Sequence, residues 1–488
     1  MDVRHLRAWA RLVPMILAAS PLTAASVSAL PPAPSYALDR ADQFDPSPRP
    51  DVVPGDPSAR TALAHILTAD AVIYGLAGVY QYEQMYRQAV DRDAPRFTGF
   101  NRFWHDNDLA GPGYAAFKAP NSDTLYSNAW LDLRDGPVLI HVPDIGLRYY
   151  TLNFFDAFGN PSNISTRTFG SGARTYLVAD ANWSGKVPDG ATLFRVATPQ
   201  SWILMRLFAA DAAELAVARG VQKQVSIVAP ARVSADPLRF PAPDIGSPAG
   251  FLAILDHVLR TNGHPDQEDA LVHRFAQIGI GRDDLFDFAR LDPEIQAGIR
   301  SGFAEGMRIV EASHTQLGQP TGTGWAKVEK GRYGFNYLNR ATVNAVGLGA
   351  NVSAENHSFT TFVDGDGASL DGSRGAYVLD LDPPPPVDAF WSVTLYDAQN
   401  FELFANPLRR YLINGKTPGL KVGPRGSVRI VMAHDRPAKG ANWLPAPDGR
   451  FFVVIRAYRP RQELLDGKWL PQPIRPIGLP RAARDVAR

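Results

Sequence analysis

The sequence predicts a mainly β protein with α segments, in which two β-sandwich domains flank a helical connector. Three observations carry this reading. β-Branched and aromatic runs, cut by Gly and Pro, fill residues 121–228 and return after Trp325. Apolar residues between those regions recur at helical spacing. The 41 Gly and 41 Pro are spread along the chain, as many short strands joined by turns require. With 488 residues the chain has room for two domains and connectors, since a domain takes about 100–200 residues.

The elements follow in order. Arg4, Arg7 and Arg11 precede an apolar run from Leu12 to Leu22. Small residues follow at Thr23-Ala24-Ala25 and Val27-Ser28-Ala29. This pattern predicts a signal peptide over residues 1–29, cleaved after Ala25 or Ala29. The run is too short to span a bilayer, and no later apolar run reaches ~18 residues. The expectation is therefore a secreted or periplasmic protein, soluble and without a transmembrane segment once the signal is removed. Residues 30–57, rich in Pro, Asp and Ser, read as a flexible leader.

The N-terminal domain is expected over 58–230. Its helix is Thr61–Asp91, with Leu63, Ile66, Val72, Leu76, Val79 and Tyr80 at helical spacing. Its strands include Asp123–Leu133, Tyr149–Phe155, Arg174–Val178 and Trp202–Phe208. Residues 231–330 read as the helical connector, with Leu252, Leu255 and Leu259 on one face and Leu271, Phe275 and Ile278 on another. The C-terminal sandwich, 331–480, carries Tyr377–Leu381, Phe390–Tyr396, Val428–Met432 and Phe452–Tyr458. The two β-regions also resemble each other. Thr151-Leu152-Asn153-Phe154-Phe155-Asp156 is matched by Thr394-Leu395-Tyr396-Asp397, and Trp202–Phe208 by Phe452–Tyr458, each with a central arginine. An internal duplication would explain this, although β-strands often look alike.

Composition excludes several functions. The net charge is +1, from 50 basic and 49 acidic residues, so there is no basic surplus for nucleic acid or a membrane surface. The absence of cysteine removes disulfides, thiol nucleophiles and thiolate metal sites. No H-E-x-x-H, G-x-S-x-G, Walker or G-x-G-x-x-G motif is present. Gly347-Leu348-Gly349-Ala350-Asn351 is Gly-rich but does not match a phosphate loop.

Candidate chemistry is dispersed. His105 sits beside Asp106 and Asp108, and His357 follows Glu355. Either could serve in acid–base work or be an ordinary loop histidine. On the strand Thr124–Asp132, alternation places Thr124, Tyr126, Asn128, Trp130 and Asp132 on one face. That face is either the floor of a cleft or a solvent or interface surface. Arg206 and Arg456 are expected inside the two sandwich cores, where a buried guanidinium needs a carboxylate. Asp156 and Asp397 are the expected ion-pair partners. Asp364, Asp366 and Asp371 could hold Ca²⁺, or could simply shape Asp-Gly turns. Trp391, Tyr396 and Trp443 form either the lip of a pocket or core closure.

Several segments together resemble a bacterial family of two tandem modules, DUF1254 and DUF1214. The first is carried by Pro120-Asn121-Ser122-Asp123-Thr124-Leu125-Tyr126, Arg148-Tyr149-Tyr150 and Trp202–Arg206. The second is carried by Asp364-Gly365-Asp366-Gly367, Leu370-Asp371-Gly372, Phe390–Tyr396, Asn442–Pro447 and Arg456-Ala457-Tyr458. The resemblance runs from about Ala62 to Ile477. It implies two β-sandwich or jelly-roll-like domains with a helical insert, often exported, and no settled reaction.

Two functions stand at this stage. One is a hydrolase or lyase acting on a small organic molecule. Asp123, Tyr126, His105, Glu355, His357 and Asp366 would be its catalytic candidates, with Arg148 orienting an anionic group and Trp130, Trp391, Tyr396 and Trp443 as substrate contacts. The other is a non-catalytic ligand-binding or envelope-assembly module that could self-associate as a homo-oligomer. A deep cleft where the polar candidates converge favours the enzyme; dispersed candidates favour binding.

Overall fold

The computed structural model describes residues 52–114, 119–229, 240–437 and 439–477. The expected signal peptide and most of the expected leader lie outside the described residues. Helix α1, Pro57–Met85, starts where Asp56 accepts from the Ala59 backbone N–H and Pro57 takes the first helical position. It continues as a π turn, Tyr86–Val90. By length and composition α1 could cross a membrane, which a search for one uninterrupted apolar run does not register. Most of it is buried, and it forms the centre of the helical layer.

The N-terminal module contains β1 Phe103–His105, β2 Thr124–Asp132, β3 Val138–Val142, β4 Tyr150–Phe155 and β5 Pro161–Ser165. Helix α2, Thr166–Phe169, then precedes β6 Arg174–Asp180, β7 Ala191–Val196, β8 Gln200–Phe208, α3 Ala212–Gln222 and β9 Ser226–Val228. The connector holds α4 Pro248–Asn262, α5 Asp269–Arg274 and α6 Pro293–Ala312. Helix α6 lies directly on α1 because Gly298, Gly302 and Gly306 face it; a Cβ on Gly302 would stand 2.3 Å from the His65 carbonyl oxygen. Two short strands, β10 Gln319–Pro320 and β11 Ala326–Val328, and helix α7 Tyr337–Gly347 lead into the C-terminal module. That module comprises β12 Asn356–Thr361, β13 Ala376–Leu381, β14 Val387–Asp397, β15 Leu412–Asn414, β16 Val428–Ala433, β17 Asn442–Pro445, β18 Phe451–Pro460, α8 Gln462–Leu465 and β19 Arg475–Ile477.

The two modules share one topology. In the first, the sheets run β1-β2-β8-β4-β5 and β7-β6-β3-β9. In the second they run β10-β11-β12-β18-β14-β15 and β17-β16-β13-β19. Each strand from β2 to β9 thus corresponds to the strand numbered ten higher. Even the parallel pair recurs, β6 with β7 and β16 with β17. Register fixes residue equivalence. Arg206 stands opposite Thr151 and Arg456 opposite Ser392, so Asp156 corresponds to Asp397 and Thr151 to Ser392 rather than to Thr394.

Alternation decides which residues face which core. On β8, Ile203, Met205 and Leu207 point between the two sheets of their module; on β18, Val453, Ile455 and Ala457 do the same. The opposite faces carry Trp202, Leu204 and Arg206, and Phe452, Val454 and Arg456. These faces leave the sandwich and meet the helices and the other module. The expected polar-aromatic face of β2 is accordingly enclosed along its whole length. Between the modules Tyr149, Phe208, Phe390 and Tyr458 pack together, with Phe390 stacked on Tyr458 at 4.0 Å between ring centroids.

Candidate functional site

A cavity of about 340 Å³ lies where the outward faces of β8 and β18 approach each other under α7. Tyr126 and Arg206 enter it from the N-terminal module. Lys330, Asn356, Ser358, Phe452, Val454, Arg456 and Tyr458 enter from the C-terminal side. Val343, Val346 and the turn from Gly347 to Asn351 form the roof, and His314 in the turn after α6 stands on its border. No Asp or Glu is among the described residues that line it.

Three basic side chains are buried here. Arg206 is 7% exposed, and Arg456 and Lys330 are 9% exposed. Arg206 donates to the Gly349 carbonyl at 2.8 Å and lies 5.6 Å from the Tyr126 ring centre. Its Nη1 has no hydrogen-bond partner in the protein. Arg456 donates to the Tyr396 hydroxyl at 2.9 Å and to the Ala119 carbonyl at 3.1 Å. Lys330 Nζ donates to Asn356 Oδ1 at 2.8 Å and Ser358 Oγ at 2.7 Å. Burial, followed by the Arg456 and Arg206 charges, pushes the Lys330 ammonium well below the usual lysine range.

Two amides extend this donor-rich lining. Asn356 Oδ1 is taken by Lys330, and Asn351 Oδ1 accepts from the Val352 backbone N–H at 2.9 Å. With each oxygen occupied by a donor, the amide orientations are fixed. Their Nδ2 groups have no acceptor in the protein. The turn bearing Asn351 is seated by Gly349, whose φ is +83°. A Cβ there would stand 2.7 Å from the Trp202 ring.

The ion pairs expected of Arg206 with Asp156 and of Arg456 with Asp397 do not form. Asp156 caps its own turn, accepting from the backbone N–H groups of Phe158 and Asn160 at 2.9 Å. Asp397 accepts from the Gln399 backbone at 2.7 Å. The arginines face away from the sandwich cores, and carbonyls, a phenol and aromatic faces take the place of carboxylates.

The remaining candidates are dispersed. Tyr126 lines the cavity, its hydroxyl accepting from the Asn121 backbone at 2.8 Å. Tyr396 stands behind it, bonded to Arg456 and to the Pro120 carbonyl. Asp123 and Glu355 lie at the seam between modules and occupy equivalent positions, each three residues before a residue paired with the buried arginine. Each reaches the other module. Glu355 accepts from Ser165 at 2.9 Å and Arg167 at 2.8 Å; Asp123 accepts from Asn414 at 3.4 Å. Ser165 and Asn414 are themselves equivalent by register. Burial raises the Asp123 carboxyl to about 6, with Asn414 and Arg456 opposing.

His105 is on edge strand β1, bonded to Ser127 at 2.8 Å, and its pKa is lowered by burial. His357 points into the C-terminal core, fully enclosed, and burial with Lys330 and Lys327 depresses it to about 3. Arg148 bonds the Phe208 carbonyl and borders a separate groove with Glu214 and Lys416. Trp130 stacks on Trp202 and donates to Gln88, while Trp391 fills the C-terminal core. Trp443 donates to the Ala433 carbonyl at 2.9 Å. Asp364 and Asp371 accept from nearby backbone N–H groups, closing turns; Asp366 supplies one of those donors. Among the described residues, no group of three or more His, Asp or Glu is placed to hold a metal ion.

Sequence reasoning missed Lys330, Asn351, Asn356 and the role of Gly349. The Gly-rich turn Gly347–Asn351 is the one local signal for them, and it matches no phosphate loop.

Comparison with known proteins agrees with the two-module plan. Residues 100–229 match DUF1254 and residues 355–462 match DUF1214, each described as a protein of unknown function. No curated protein matches the chain. The crystal structure of the VPA0106 protein from Vibrio parahaemolyticus is similar in fold, with a TM-score of 0.65 at 23% identity, over 85% of this chain and 100% of that one. An uncharacterized protein from Burkholderia cenocepacia gives a TM-score of 0.42 at 14% identity, over 87% and 89% of the two chains.

Proposed function

We propose that this chain, which belongs to the tandem DUF1254–DUF1214 family, binds a small organic anion with an apolar body in the cavity between its modules. One observation carries the reading: the guanidinium charges of Arg206 and Arg456 are buried, beside the Lys330 amine, on a wall that holds no carboxylate among its described residues. Buried charge is stable when it is paired, and a bound anion would supply the pairing. The unpartnered N–H groups of Arg206, Asn351 and Asn356 are donors, as carboxylate or phosphate oxygens require. Val343, Val346, Leu348, Phe452 and Val454 offer the apolar counterpart. The volume suits a ligand of roughly metabolite size.

A binding protein fits better than the hydrolase or lyase reading. Of the acid–base candidates, Tyr126 alone lines the cavity. The expected N-terminal signal supports export, so the cavity would meet periplasmic or external solutes; N-terminal sequencing of protein from its native host tests that placement.

Thermal unfolding in the presence of phenylacetate and, separately, phenylacetamide tests the binding reading. The acid should raise the melting temperature and the amide should not. Equal shifts with both, or none with either, would overturn it.

A further inference from the structure

We propose that Lys330 is a carbonyl-condensing amine, so that the ligand class is a 2-oxo acid or a similar carbonyl-bearing anion. This rests on the anion-binding reading and deepens it. Lys330 is enclosed in the cavity wall rather than paired with a carboxylate, and its Nζ donates to Asn356 and Ser358. Those two acceptors satisfy both N–H groups of a neutral amine and leave its lone pair available. Ser358 stands opposite Arg456 across β12 and β18, so amine and guanidinium share one row of the sheet. Arg206 faces that row from the other module. A carboxylate held by the arginines would bring its adjacent carbonyl to the amine. The like charges of Arg206 and Arg456 also favour the neutral amine, the form that attacks a carbonyl.

The step balances without an oxidant or reductant. The Nζ lone pair forms a C–N bond to the carbonyl carbon, and a proton passes from nitrogen to oxygen. The C–O bond then breaks, the remaining nitrogen proton leaves with the hydroxyl as water, and a C=N bond remains.

The test uses the full chain with phenylpyruvate as probe, phenyllactate as the matching anion without a carbonyl, and borohydride to reduce any imine. Peptide mass mapping should find a borohydride-dependent adduct on Lys330 that phenyllactate suppresses and that is lost in Lys330→Met. Because suppression is read on the unaltered chain, the test survives a variant that fails to fold. Thermal stabilisation by both probes with no Lys330 adduct overturns this inference and leaves anion binding standing. Adducts scattered over other lysines and insensitive to phenyllactate also overturn it. If neither probe stabilises the protein and no adduct forms, anion binding falls as well.

Discussion

Replacing Arg206 with Met separates a binding role from a structural one. Met is close in length and fills the space of the arginine stem. The substitution removes one charge-assisted hydrogen bond, to Gly349 at 2.8 Å, and one ring contact, to Tyr126 at 5.6 Å. The first contributes about 1.5–3 kcal/mol and the second about 0.5–2 kcal/mol. Against this, it removes a buried Nη1 that has no partner, worth about 1–3 kcal/mol. The losses exceed the gain by about 1–2 kcal/mol, so the unligated variant should unfold in urea about 1–2 kcal/mol below the parent. Breaking a true buried ion pair would instead lose about 3–5 kcal/mol. Calorimetric titration with phenylacetate should show affinity weakened by about 2 kcal/mol or more, roughly thirtyfold in Kd. A variant destabilised by the full ion-pair amount, with unchanged ligand affinity, would refute the reasoning.

Three further outcomes follow from buried groups. Asp123 is raised from 3.8 to about 6, so its folded form holds a proton that the unfolded chain releases first. Stability should therefore fall as pH rises from about 4 to 6, by a total on the order of 3 kcal/mol, and Asp123→Asn should flatten that limb in urea titrations; an unchanged slope would count against it. His357 behaves oppositely: depressed from 6.5 to about 3, it makes stability fall as pH drops through that window, because the unfolded ring takes the proton first. His357→Leu should weaken that acid loss and stabilise the protein by about 1–2 kcal/mol at pH 7, since both ring nitrogens lack partners; clear destabilisation there would contradict it. Gly349→Ala should destabilise by about 2–5 kcal/mol, from its left-handed φ and the collision with Trp202, and should lower phenylacetate affinity by shifting the Arg206 acceptor; parent-like melting and binding would show that the turn is not held as described.

Period-two alternation was readable from the sequence; the inward face was not. Arg456 does share a face with Phe452 and Val454, and Arg206 with Trp202 and Leu204. That face is not the sandwich interior. Ile203, Met205 and Leu207 form the more uniformly apolar set and occupy it, and the same holds for Val453, Ile455 and Ala457. The arginine faces are buried by the helices and by the other module, contacts that no local pattern encodes. Lys330 was invisible for a similar reason. In Glu329-Lys330-Gly331 it reads as a solvated loop lysine, and only its meeting with Asn356 and Ser358 takes it inside. The helices were legible where spacing repeats, as in α4, but the tight seat of α6 on α1 depends on three glycines whose meaning is tertiary.

Departures from the shared topology account for the unequal shares that the two modules take in the cavity wall. Register equates Trp202 with Phe452, Leu204 with Val454 and Arg206 with Arg456. The equivalent acids Asp123 and Glu355 likewise each cross to the opposite module. At two places the likeness fails. The turn after α7 covers Trp202 and Leu204, with Gly349 against both, whereas Phe452 and Val454 remain on the cavity wall. The position next to the arginine is Tyr126 in one module and Ser358 in the other. A serine is small enough to admit the Lys330 amine and can accept its hydrogen bond; a tyrosine ring fills the same position. The chemistry is therefore concentrated where two otherwise matching modules differ, and Ser358→Ala should remove one acceptor of the Lys330 amine while leaving the hydrogen bonds of both arginines in place.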